Sequence, residues 1–177
     1  MKEKIEVFDY ASEIMKGFPK GILLNTQAEK FNSMIIGWGH LGIVWGKPTF
    51  HVYVREHRFT KEQLDKTDSF SVSVPLDKPD PVIMKVCGTL SGRTVDKVQE
   101  ANLVLEEPDV IDTPALKNYP LTLECKKLYA QEQILGDIPE DIRKVMYPQD
   151  VDSSYYRANK DAHTMYIGEI VSAYIIK

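Results

Sequence analysis

Apolar and polar positions alternate repeatedly along this chain, and the alternation predicts a protein built mainly from strands. Phe50, Val52 and Val54 interleave with Thr49, His51, Tyr53 and Arg55, the period-two pattern of a strand with one buried and one polar face. Residues 70–74 repeat it and are stopped by Pro75. Leu121, Leu123 and Cys125 alternate with Thr122, Glu124 and Lys126, predicting a long strand over 121–130 that can extend to Ile134. Ile22-Leu23-Leu24 has the short apolar length of a buried strand, and the polar turn at 27–30 leads back into Phe31, giving a first hairpin. Residues 163–176 form a β-favouring run with Gly168 as a bulge. A short strand is expected at 103–105. Gly39, Gly42 and Gly46 punctuate the chain after Trp38, so 41–46 is expected to be loop or bulge.

Helices are few and short. Thr60 and Gln63 have capping-box spacing, predicting a helix over 61–65. Asp80-Pro81 suits the N-cap and first position of a helix over 82–86 that runs out at Gly88, and Asp96 is a cap for 97–102. Pro139, Glu140-Asp141, Arg143-Lys144 and Pro148 satisfy the start and stop rules for another short helix. Residues 5–16 predict an N-terminal arm and a short helix. The stretch 136–161 is the least regular, with no assignable period at Tyr155-Tyr156-Arg157, and has the length of a lid or dimer arm. Many strands and few short helices predict a mostly-β fold, a closed or partly closed antiparallel barrel, in a single domain over 1–177.

Composition narrows the function. With 43% hydrophobic and 27% charged residues the chain has the make-up of a soluble globular protein, and no apolar run nears the roughly 20 residues that span a bilayer. The first residues carry acids and lack the apolar core of a secretory signal, so a cytoplasmic location and no membrane partner are expected. A net charge of -4 argues against non-specific nucleic-acid binding, which needs a basic face. Cys87 and Cys125 form no Cys-x-x-Cys pair and are expected to be buried free thiols. His40, His51, His57 and His163 have no ligand spacing, so no metal site is expected. The motifs of hydrolase elbows, phosphate loops, dinucleotide-binding turns and zinc peptidases are absent.

One place carries candidate chemistry. The strand at 49–55 runs into Arg55, His57 and Arg58 just before the predicted helix start, whose unpaired N–H groups and positive dipole end suit a phosphate. The alternative is that these arginines are solvated strand-end charges. Trp38 and Trp45 flank the glycine-rich link as core or interface aromatics, or, for Trp38, as the border of a ligand. Ser91-Gly92-Arg93 suits a turn with a solvated arginine.

Several blocks together resemble a known family. Phe31-Asn32-Ser33-Met34 through Gly37-Trp38-Gly39, Trp45-Gly46-Lys47-Pro48, and Val52-Tyr53-Val54-Arg55 followed by Arg58 and Thr60 resemble the flavin reductase-like, FMN-binding split-barrel family, which includes flavoredoxins. Cys87-Gly88, Ser91-Gly92-Arg93 and Asp96-Lys97 extend the likeness, as does His163 ahead of Tyr166-Ile167-Gly168-Glu169-Ile170. The resemblance spans roughly 17–176 and implies an antiparallel split β-barrel, homodimeric, with FMN near the subunit interface. It implies that Asn32, Ser33, Met34, Ile35 and Trp38 lie along the isoalloxazine ring. Arg55, Arg58, Thr60 and Lys97 would hold the phosphate, and His163 would line the nicotinamide side. Many members carry threonine where this chain has Ile35, leaving backbone contacts there, and Gly-Asp where Asp161-Ala162 precedes His163. The activity implied is electron transfer from NADH or NADPH through FMN to a protein or small-molecule acceptor. The other class of reading is a non-catalytic FMN- or small-ligand-binding module, or a carrier fed by another protein.

Overall fold

The computed structural model describes residues 1–149, 151–152 and 161–177; Tyr155-Tyr156-Arg157 lie outside the described residues. The strands in chain order are β1 (Lys2–Lys4), β2 (Ile22–Gln27), β3 (Phe31–Ile36), β4 (Gly39–Val44), β5 (Lys47–Arg55), β6 (Ser69–Val74), β7 (Leu105–Glu106), β8 (Ala115–Leu116), β9 (Leu121–Glu132) and β10 (His163–Ile176). The helices are α1 (Ala11–Gly17), α2 (Phe59–Leu64), α3 (Pro81–Thr89), α4 (Lys97–Glu100) and α5 (Glu140–Met146). All ladders are antiparallel. The main sheet has the order β3-β2-β6-β9-β10-β5-β4, with β1 added beside β10, and β7 and β8 pair separately.

The sheet curls until β3 touches β5, yet among the described residues no ladder joins β3 to β4 or β5. The barrel is therefore open along one seam, and the outer edge of β3 is left without a strand partner. The long β10 crosses the molecule, pairing with β9 along one side and with β5 and then β1 along the other. Its register slips between Ile167 and Gly168, the expected bulge. A Cβ on Gly168 would lie 2.5 Å from Phe70 Cζ and 2.8 Å from Cys125 Cβ, so the strand backbone itself presses on the core there.

Two apolar layers meet at β2, which explains its unbroken apolar run. Ile22 and Leu24 face the barrel interior with Phe50, Phe70, Val72 and Leu123, while Leu23 faces outward onto Ile83, Val86 and Cys87 of α3. Each such side chain, wholly removed from water, contributes about 1.5–3 kcal/mol. The polar positions of the alternating strands are also covered. Asn25 donates to Ser71 Oγ at 3.1 Å and Ser73 Oγ at 2.9 Å, and the Ser71 hydroxyl donates to the Pro114 carbonyl at 2.6 Å. Burial of these groups is sustained by hydrogen bonds rather than by solvent.

Local expectations were met where the partners are local. Asp80 accepts from the backbone N–H of Val82 at 2.7 Å, Asp96 from that of Val98 at 2.9 Å, and α5 starts directly after Pro139. Helix α3 runs past Gly88 to Thr89, and the short strand expected at 103–105 lies later, β7 spanning Leu105–Glu106 and sharing only Leu105 with that stretch. The free thiols of Cys87 and Cys125 are buried.

Two expectations are corrected. Residues 41–46 are not a loop: β4 pairs with β5, and the two-residue turn Trp45-Gly46 has positive φ at both positions, 54° and 71°, as a type I′ hairpin requires. Gly39 is there because the backbone passes close to its neighbour; a Cβ would sit 2.5 Å from the His51 carbonyl. The capping box is also absent. Arg58 occupies the N-cap of α2 with no side-chain cap, Thr60 takes a hydrogen bond from Asn32, and Gln63 accepts instead from the backbone N–H of Ala28 at 3.3 Å. Among the described residues no helix is long and apolar enough to cross a membrane.

Candidate functional site

The open seam places the free edge of β3 beside the end of β5, and there the chain concentrates unpaired polar groups. Lys97, at the start of α4, donates from Nζ to the Ser33 carbonyl at 2.8 Å, which marks Ser33 as facing the free edge. Because successive residues of a strand point their backbone groups to opposite sides, Ile35 presents its N–H and C=O to that same edge. Ile35 lines the two cavities that meet there, so a planar ligand at the seam would find main-chain donors and acceptors.

The first cavity, about 180 Å³, is walled by Asn32, Arg58, Thr60 and Lys97 and by the turn 87–93. Lys97 is only 5% exposed, and among the described residues no carboxylate lies within ion-pair distance of it. Burial, reinforced by Arg58, holds its ammonium below the ordinary lysine range. Arg58 is exposed, and its guanidinium makes no hydrogen bond or ion pair among the described residues. The Asn32 amide donates to Thr60 Oγ1 at 2.8 Å, leaving the Thr60 hydroxyl hydrogen to be given elsewhere. Among the described residues Asn32 Oδ1 is buried with no hydrogen-bond partner. A Cβ on Gly92 would fall on the Asn32 amide oxygen and 2.8 Å from Phe59 Cδ1, so only glycine lets the turn close over this wall.

This donor set fits a phosphate. A buried cation without an anion is unfavourable until one arrives, and Arg58, Lys97 and Thr60 together offer a fork, a point charge and a hydroxyl. Among the described residues no group of histidines, cysteines and carboxylates has the arrangement of a metal site. Burial pushes the Cys87 thiol up despite the pull of Lys97, so it enters the pocket wall as a neutral group.

Arg55, grouped with Arg58 in the sequence, is held apart from this cavity. Its guanidinium donates to the carbonyls of Asp161 at 2.9 Å and Met146 at 3.1 Å, with the Asp161 carboxylate at 3.8 Å. Asp161 also accepts the backbone N–H of His57 at 2.9 Å. Arg55 thus ties the chain after α5 to the end of β5. It lines the second cavity, about 230 Å³, which shares Met34, Ile35 and Arg58 with the first.

The second cavity ends on Trp38 and His163, whose rings lie 4.4 Å apart. His163 Nδ1 is 2.8 Å from the hydroxyl of Tyr147, and Tyr147 donates to Gln133 Oε1 at 2.6 Å. Burial, with Arg55 adding to it, pushes the His163 imidazole down to about 4, so it is neutral at physiological pH. Beyond Trp38 a wider hollow of about 590 Å³ shares Gly37, Trp38 and Tyr53 with the second. The three hollows form one run, from the buried ammonium, past the bare strand edge, to an aromatic mouth.

Of the residues singled out in the sequence, Asn32, Met34, Ile35, Arg58, Thr60 and Lys97 converge on the first cavity, and Trp38, Arg55 and His163 on the second. Ser33 contributes its carbonyl. Phe59, Gly92, Tyr147 and Gln133 were not singled out as site residues; only the Ser91-Gly92-Arg93 turn carried a local signal. Arg93 is not merely solvated, since it donates from Nε to Glu62 at 3.0 Å and from its two terminal nitrogens to the His57 carbonyl at 3.1 Å.

Comparison with known proteins agrees with this architecture. No curated protein matches the chain in sequence. Among solved structures, a protein with a split barrel domain from Shewanella frigidimarina NCIMB 400 is 16% identical, with 98% of this chain and 76% of that chain covered and a TM-score of 0.66. The FMN-binding domain of a flavin reductases-like enzyme from Shewanella baltica OS155 is 16% identical, covering 99% and 77%, with a TM-score of 0.63. Flavoredoxin from Methanosarcina acetivorans is 23% identical, covering 89% and 69%, with a TM-score of 0.63. Residues 15–177 match the family described as the flavin reductase like domain. With its antiparallel sheet left open at one seam and nearly its whole length within that match, the chain belongs to the flavin reductase-like family and has the split-barrel fold.

Proposed function

We propose that the protein is an FMN-binding oxidoreductase that takes electrons from NADH or NADPH and delivers them to a protein or small-molecule acceptor. The observation that carries this reading is the buried Lys97, with no carboxylate in ion-pair distance among the described residues, at the closed end of a cavity that opens, past a free strand edge, onto an aromatic mouth. Lys97, Arg58 and Thr60 hold the phosphate, and Arg58, being exposed, is free to swing onto it. The β3 edge at Ser33 and Ile35 hydrogen-bonds the ring, replacing with main chain the hydroxyl that a threonine would supply. Flavin bound there supplies the hydride and single-electron chemistry. Trp38 and His163 border the face left open for the donor, and Arg55 ties Met146 and Asp161 to the end of β5.

The same reading includes a homodimer. Ile43 is 67%, Trp45 63% and Tyr129 42% exposed, and Trp45 and Tyr129 pack edge to face with ring centres 6.4 Å apart, leaving an apolar patch at the β4–β5 turn. Anaerobic titration of the flavin-loaded protein with NADH and with NADPH tests the donor. Bleaching of the oxidised-flavin band by one of them is expected. A yellow protein that neither donor reduces would replace this reading with a carrier fed by another protein, or with a flavin-binding module.

A further inference from the structure

The hydrogen bonds behind His163 have only one consistent direction. The backbone N–H of His163 can only donate, and it meets Gln133 Oε1 at 3.3 Å, which fixes that atom as the amide oxygen. The Tyr147 hydroxyl lies 2.6 Å from the same oxygen and must therefore donate to it. Its single hydrogen is thereby used. At 2.8 Å from His163 Nδ1, the Tyr147 oxygen is left to accept, so Nδ1 must carry the proton. No hydrogen bond to His163 Nε2 occurs among the described residues, and His163 lines the second cavity.

We propose that Gln133 and Tyr147 lock His163 as the Nδ1–H tautomer, so that bare Nε2 is offered to the ring-side cavity as a hydrogen-bond acceptor. The residue then recognises a ligand that brings an N–H or O–H donor and supplies no proton to it. Tyr147 is a positioning residue: it acts through the imidazole, and its ring packs edge-on against both Trp38 and His163, which holds the plane of the histidine. The depressed basicity of His163, caused first by burial and then by Arg55, with Arg58 adding and Asp161 opposing, keeps the ring neutral and agrees with an acceptor role. For the donor, this deepens the proposed function and rests on it: the matching group on a reduced nicotinamide is the carboxamide N–H.

Two measurements test the inference separately. In the full-length protein, long-range proton–nitrogen correlation spectra, with His163 assigned by His163→Gln, are expected to show Nδ1 protonated and Nε2 bare at neutral pH. Tyr147→Phe is expected to lose that tautomer and Gln133→Glu, which keeps an acceptor, to retain it. An Nε2–H or doubly protonated ring in the unmodified protein overturns the tautomer, whatever the flavin chemistry. The second measurement compares KM for NADH with KM for its reduced 3-acetylpyridine analogue, which lacks the carboxamide N–H. About tenfold weaker use of the analogue by the unmodified protein, and equal use of the two by His163→Leu, is expected. Equal discrimination in both proteins overturns the ligand assignment but leaves the tautomer to the spectra. If neither donor is used at all, the proposed function falls and the spectra still decide the tautomer.

Discussion

Lys97 is expensive in the folded protein, because its ammonium is buried with, among the described residues, a single carbonyl as hydrogen-bond partner. Replacement by methionine, Lys97→Met, keeps the stem volume and removes the charge. The flavin-free variant is expected to be at least as stable as the parent in urea unfolding, while its FMN affinity falls by about 1.5–3 kcal/mol, the range for a hydrogen bond to a charged group. A loss of stability with unchanged affinity would make Lys97 a structural residue. His163 sets a pH dependence of a definite sign. Its folded value of about 4 lies below the 6.5 of the unfolded chain, so between those two the unfolded state binds a proton that the folded state refuses. The contribution is complete above pH 6.5 and is lost as pH falls through about 4, roughly 3 kcal/mol for this gap at 1.36 kcal/mol per unit. Unfolding free energies across that window should fall more steeply for the parent than for His163→Gln, and parallel curves would contradict the buried neutral ring.

At the level of elements, the site depends on a turn closing over a strand. In Gly92→Ala the new methyl would collide with the Asn32 amide, which is itself bonded to Thr60, and with Phe59 at 2.8 Å. Overpacking of this kind costs about 1–3 kcal/mol, and the variant should lose both stability and flavin affinity. An unchanged melting temperature and affinity would mean the turn is free to move off Asn32. The elements also show where sequence patterns stop being informative. The caps at Asp80 and Asp96 were legible because each acceptor and its N–H groups are two or three residues apart. Thr60 and Gln63 have the spacing of a box, but their partners, Asn32 and Ala28, belong to a hairpin some thirty residues upstream. Residues 41–46 looked like a loop because Gly39 and Gly42 weaken a strand, and because a tryptophan in the left-handed region leaves no signature in composition. Arg55 and Arg58 are indistinguishable as neighbours in a motif; Asp161, distant in sequence, separates them by engaging one.

In the whole molecule the open seam is what turns a β-barrel into a binding site. Among the described residues the outer edges of both β3 and β4 lack a strand partner, and the bare edge of β3 lies between a buried ammonium and an aromatic pair. The long strands and the mostly-β architecture were legible from alternation, while β1, β4 and β8 were not, and the family was legible from its motif blocks. The meeting of β3, the end of β5, the turn 87–93 and α4 was not, since no periodicity encodes which distant segments share a cavity. The proposed function requires that this cavity anchor the flavin by its phosphate. It is tested most directly by comparing the affinities of FMN and of riboflavin, which lacks the phosphate, in the parent and in Arg58→Ala. The parent should prefer FMN strongly, and Arg58→Ala should lose about 1.5–3 kcal/mol of that preference while its riboflavin affinity holds. Equal binding of the two flavins by the parent, or a preference untouched by the substitution, would mean that the phosphate is not held in this cavity.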